Sequence, residues 1–236
     1  MTELLVLLVV FFAIFTQSVA GFGLGLVSMP LLTQLLGIRM AAPLVALIAI
    51  TAEVLLLIRY RDDLDFGAVW RLSVASIIAV PLGVMALHRI DSDLILKALG
   101  AIVIGYSVYG LSNFHLPEVE HPRWGYGFGF LSGLLSGAYN LAGPPVVIYG
   151  NCRRWEPREF KSNLQGFFML NSLTVIATHA LSQNYTRTVF NHYLLTVPAI
   201  LMGIVVGIAL DKRFNPTSFR KIVLVLLVVL GLTLMF

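Results

Sequence analysis

Two short runs of this chain combine helix-breaking residues with uncharged hydrogen-bond donors. The first is Gln17-Ser18-Val19-Ala20-Gly21-Phe22-Gly23-Leu24-Gly25 and the second Ser136-Gly137-Ala138-Tyr139-Asn140-Leu141-Ala142-Gly143-Pro144-Pro145. Each interrupts a hydrophobic segment. At membrane depth, backbone N–H and C=O groups freed by such a break persist only where protein, water or ligand satisfies them. Interrupted segments at matching positions of two halves point to a transporter binding site. Half-helices meeting there aim their N-terminal N–H groups into a cavity, and helix N-termini attract anions. Gln17, Ser18 and Asn140 add donors without adding negative charge, so with Gly21, Gly23 and Gly143 they are the first candidates for contact with a small anionic substrate. The competing use of such residues is close helix packing, with Gln17 or Asn140 bonded to a neighbouring helix. Recurrence in both halves favours the site.

A second polar group lies on the span after each break: Thr51 and Glu53 in the first half, Asn163, Gln165, Asn171, Ser172 and Thr174 in the second. Gln165 and Ser172 are seven residues apart and share a helix face, with Asn171 beside it. Polar side chains at this depth face the bundle interior. Thr51, Gln165 and Asn171 join the substrate-contact candidates, and interhelical bonding is an equal alternative for each. Glu53 is the one carboxylate well inside a span and is the first candidate for proton coupling. His179 is the second.

Other chemistries find less support. Gly129-Phe130-Leu131-Ser132-Gly133 with a later His179 has the ingredients of a membrane serine hydrolase, but no acidic partner follows at depth, and no enzyme activity is expected. No GxxxxGK[ST] phosphate loop is present. The single cysteine, Cys152, excludes an internal disulfide and a cysteine-based metal site. Neither a metal nor a cofactor is expected.

The elements that must position these residues are membrane spans. Hydrophobic residues make up 58% of the 236 residues and charged residues 12%, with a mean hydropathy of +0.88; a soluble domain carries about 25% charged residues. The lipid bilayer is therefore the expected partner, as a multi-pass protein of the inner membrane. The net charge of +4 belongs to insertion topology, not nucleic-acid binding, since no basic run interleaved with aromatics occurs. Met1-Thr2-Glu3 lacks the positive charge of a signal peptide, so residues 1–20 are expected to stay in the mature protein.

Hydrophobic segments run over 3–36, 41–58, 67–87, 94–112, 125–150, 160–182, 190–210 and 219–236. The first would be about 51 Å long as one helix, against a hydrocarbon core of about 30 Å. A break at Gly21–Gly25 resolves the excess by folding it into two short helices, and Asn140–Pro145 does the same for 125–150. The polar connector 113–124 separates an N-terminal repeat, 1–112, from a C-terminal repeat, 125–236. If each broken segment is a hairpin, each half crosses an odd number of times and the second half is upside down. The loops then carry 12 basic residues on one side and 4 on the other, and the richer side is cytoplasmic. Single crossings throughout would give 11 against 5. The equivalent loops discriminate better: 37–40 with 88–97 carry three basic residues, their partners 151–161 with 211–221 eight. The expected fold is an all-α integral membrane protein of two inverted repeats, each with a broken, re-entrant glycine-rich segment plus three transmembrane helices.

Gly21-Phe22-Gly23-Leu24-Gly25 followed by Pro30-Leu31-Leu32, and Ser132-Gly133-Leu134-Leu135-Ser136-Gly137 followed by Asn140 to Pro145, carry a further signal. In these paired motifs, and over essentially its whole length, the chain resembles the sulfite exporter TauE/SafE family of membrane transporters. Asn140, Ala142 and Pro144 stand where that family more often has glycine. The resemblance implies a secondary transporter, an exporter, of sulfite or an organosulfonate. A channel-like permease for another small solute, or a membrane assembly subunit without transport, are the other readings of the same polar residues.

Overall fold

In the computed structural model, which describes residues 2–112, 117–210 and 216–235, the regular elements are helical. They are α1 (Thr2–Ala20), α2 (Leu24–Leu36), α3 (Ile38–Tyr60), α4 (Phe66–Arg89), α5 (Ser92–Leu111), α6 (Trp124–Tyr139), α7 (Gly143–Cys152), α8 (Pro157–Leu181), α9 (Arg187–Leu210) and α10 (Pro216–Met235). A 3₁₀ turn, Arg61–Asp63, follows α3. α1, α3, α4, α5, α8 and α9 are each long and apolar enough to cross a membrane. Large apolar side chains lie exposed along them, Leu4, Ile78, Leu194 and Val205 among others, as a lipid-facing surface requires. The start of the connector, residues 113–116, and the basic residues Lys212 and Arg213 lie outside the described residues.

Both breaks fall where glycine and proline were found. α1 ends at Gly21 (φ +83°), and Gly23 (φ +117°) opens α2 in a conformation that disfavours any residue with a Cβ. α6 ends at Asn140, left-handed at φ 52° and ψ 33°, one of the few non-glycine residues that accept it readily. The expectation of two short limbs needs one amendment: α1, with 19 residues, is about 28 Å long and close to a full crossing by itself. The short limbs are α2 and α7, of 13 and 10 residues.

Side-chain contacts fix the helix directions. α1 runs parallel to α9, with Gly203 against Ile14 and Gly207 against Ser18. α3 is also parallel to α9: Thr51 meets Tyr193, and Leu55 and Ile58 lie across from Leu201 and Val205. Hence α1 and α3 point the same way, and α2 must turn back between them. In the second half α6 is parallel to α4, with Gly129, Gly133 and Gly137 against Leu72, Ser76 and Val80 in turn. α8 is parallel to α4 as well, from Gly166 beside Leu64 to Asn171 bonded to Ser76. α7 therefore also turns back. Across the halves, α3 and α8 are antiparallel, because Tyr60 meets Ser162 while Glu53 meets Ser172. α5 and α10 are antiparallel too, Gly100 facing Gly231 and Gly110 facing Leu224.

The first three helices of each half share one register. Leu24 and Gly143 open corresponding helices, as do Ile38 and Pro157, and both pairs are 119 residues apart (143 − 24 and 157 − 38). At that spacing Gly21 corresponds to Asn140, Ala42 to Lys161 and Glu53 to Ser172. The contacts are reciprocal: Gly21 lies against the Lys161 stem, and the Asn140 side chain bonds the Ala42 carbonyl. Glu53 and Ser172, equivalent positions, bond each other.

Candidate functional site

The two breaks meet in the protein interior, where the backbone of Gly25 lies directly against the Asn140 carbonyl, too close to admit a side chain. Beside this contact is a cavity of about 30 Å³, room for one or two water-sized groups. Its walls come from α1, both breaks, α3, α6 and α8.

Gln17 enters from the last turn of α1. Its Oε1 accepts the Leu24 N–H at 3.3 Å, which directs Nε2 away from α2; Nε2 is buried and has no partner. A buried donor left unpaired costs about 1–3 kcal/mol, so this amide is poised for an acceptor. The start of α2 supplies more donors. Its N-cap, Gly23, has no side chain to offer, and Gln17 Oε1 takes the Leu24 N–H alone; first-turn N–H groups have no acceptor within their own helix, and Gly25 and Leu26 of that turn both line the cavity. α7 differs. Pro144 and Pro145 occupy its first turn and carry no N–H, leaving Gly143 as the donor there. The expected pair of anion-attracting helix ends is thus one full end and one nearly bare.

Asn140 and Asn171 both face the cavity, but their amides also hold the walls. Asn140 Nδ2 donates to the Ala42 carbonyl at 2.8 Å, tying the second break to α3. Asn171 Nδ2 donates to Ser76 Oγ at 2.5 Å, and its Oδ1 accepts from the Ser136 hydroxyl, so one side chain joins α4, α6 and α8. Ser132 Oγ donates to the Ala142 carbonyl at 2.8 Å and pins the break itself. Glu53 closes the cavity from α3, buried, bonded to Ser172, with Oε2 unpartnered. It is the charged side chain of the lining.

The remaining sequence candidates lie elsewhere. Ser18 bonds the Ile14 carbonyl and meets Gly207 of α9. Thr51 bonds Tyr193 at 2.8 Å, also toward α9. Gly21 contributes its carbonyl to Gln165 Nε2 at 2.8 Å, just outside the cavity, and Gln165 Oε1 is buried without a partner. His179 sits at the far end of α8, where its Nδ1 lies 2.8 Å from Asn184 Nδ2 and Asn184 Oδ1 reaches His88 Nε2 at 2.9 Å. In the same turn, burial holds the Tyr185 phenol well above its usual range. Among the described residues no three His, Cys, Asp or Glu side chains gather as a metal site would need. Ser172, of the second polar group, lines the cavity, and so do Ser136 and Phe168, which were not among the candidates. Ser136 was signalled by its place at the head of the second break, where it corresponds to Gln17.

Residues 6–234 match the family described as sulfite exporter TauE/SafE. The chain is 27% identical over 229 residues to a protein of Cupriavidus necator named probable sulfite/organosulfonate exporter TauE, covering 93% of this chain and 88% of that one. No solved structure matches.

Proposed function

The chain belongs to the sulfite exporter TauE/SafE family, and we propose that this multi-pass membrane protein is a secondary transporter that exports a small sulfur oxyanion or sulfonate through the cavity between its two breaks. The observation that carries the assignment is the Gln17 amide, buried with an unused donor beside the first turn of α2, whose Gly25 and Leu26 line the same cavity. Neutral donors and a helix N-terminus bind an oxyanion without a buried arginine. The volume of about 30 Å³ argues against a long organic tail.

We read the two halves as an inverted repeat, 1–112 and 125–236 about the connector. Reciprocal contacts and antiparallel counterparts support this, and Glu53 with Ser172 mark the axis. Alternating access is then a rocking of the two hairpins about that axis.

Glu53 supplies the coupling. An ionised carboxylate and a bound anion about 4 Å apart would repel by about 4 kcal/mol at an effective dielectric of about 20. The anion therefore enters when Glu53 is protonated, and substrate and proton cross together. Net outward movement follows when the cytoplasmic anion excess outweighs the opposing proton gradient.

The test is thermal unfolding of the purified protein with sulfite, sulfate, thiosulfate, methanesulfonate, taurine, acetate and chloride. A ligand of the folded state raises the melting temperature by mass action. Stabilisation by sulfite or a sulfonate that acetate and chloride do not reproduce is the expected result. Equal responses to every anion would overturn the assignment.

A further inference from the structure

A second concavity lies on the outer surface between α3 and α9. The two parallel helices are joined by the Thr51–Tyr193 bond, and the concavity lies beyond it toward the end of α3. Leu55, Ile58, Leu201, Ile204, Val205 and Ile208 wall the opening, and Arg59 and Arg61 stand at its end. Its volume of about 530 Å³ dwarfs the central cavity. The corresponding seam of the other half, between α8 and α4, is filled: Val80, Val84 and Val175 form a buried cluster with Ala46.

We propose that this groove binds an anionic phospholipid, an acyl chain lying between α3 and α9 and the phosphate held by Arg59 and Arg61. The walls suit an acyl chain. Ile58 and Val205 are 62% and 67% exposed, and an apolar slot of this kind offers nothing to a small oxyanion or to a polar peptide. Its charge lies at one end only, the arrangement of a lipid with its tail along the helices and its head at the interface. Guanidinium groups recognise phosphate oxygens in bidentate fashion. The groove opens on the face that carries most of the basic loops, so the lipid belongs to the cytoplasmic leaflet. The site rests on the membrane setting and is independent of which solute is carried.

The experiment compares phosphatidylglycerol with phosphatidylcholine of the same acyl chains on the full chain in detergent. Retention is read by native mass spectrometry and stability by thermal unfolding. Phosphatidylglycerol should be retained and raise the melting temperature, and phosphatidylcholine and inorganic phosphate should do neither. At about 1 kcal/mol per basic residue near the headgroup, Arg59→Gln with Arg61→Gln should weaken retention about 30-fold. Val205→Trp, which fills the groove and leaves both arginines in place, should weaken it as well. Equal effects of the two lipids, full stabilisation by phosphate alone, or undiminished retention by Val205→Trp would overturn the site. Stabilisation of the same variants by methanesulfonate reports the central cavity separately, and it should stay unchanged.

Discussion

Gln17 and Glu53 are the side chains on which the proposed site turns. Gln17→Leu keeps the volume and removes the donor, together with the acceptor of the Leu24 N–H; a hydrogen bond to a charged group is worth about 1.5–3 kcal/mol. Anion affinity measured by calorimetry should fall about 10- to 150-fold, while the fold survives. Glu53→Gln fixes the neutral form. Binding of methanesulfonate, which keeps one charge at ordinary pH, should tighten as pH falls in the natural protein and lose that dependence in Glu53→Gln. Both residues were legible because a lone amide and a lone carboxylate stand out in apolar sequence. Ser18 and Thr51 were equally conspicuous, yet they face α9. Adjacent residues of a helix point about 100° apart, and sequence polarity does not say which of two neighbours, Gln17 or Ser18, turns to the cavity and which to another helix.

At the scale of elements, the breaks were readable from glycine and proline chemistry, and the helix bounds follow the hydrophobic segments closely. The use of the remaining glycines was not readable. Gly129, Gly133 and Gly137 of α6 form a flat strip on which the α4 backbone lies, the close approach that small residues permit in membranes. A Cβ at Gly137 would strike the Val80 carbonyl. Gly137→Val should therefore lower thermal stability by at least the 1–3 kcal/mol typical of overpacking, checked by unfolding in detergent, whereas Gly105→Ala, with open space around it, should leave it nearly unchanged. Sequence showed small residues recurring; only the partner helix tells a hinge from a seam.

For the whole molecule, the decisive issue is orientation. α3 and α8 begin at opposite ends of an antiparallel pair, so their first turns should lie on opposite sides of the membrane. In a Cys152→Ser background, Arg39→Cys should react with an impermeant maleimide added to intact cells, and Arg158→Cys only after the cells are opened. Labelling of both from one side would rule out the inverted arrangement. The loop charges had pointed to it, because equivalent loops differ in basic content, but charge totals alone fitted two topologies. Contacts across the halves bear on that choice, and these depend on packing between residues far apart in sequence.

The pairing of Glu53 with Ser172 carries a consequence for energetics. Corresponding positions face each other, and one of the two holds a carboxyl. On the proposed coupling, a single acidic group at the centre admits a single proton per turnover. With a monovalent anion beside a neutral Glu53 the cavity holds one negative charge; emptied, with Glu53 ionised, it again holds one. Loaded and unloaded carriers are then electrically alike, membrane voltage acts equally on the outward and return steps, and the direction of transport is left to the concentration gradients of anion and proton.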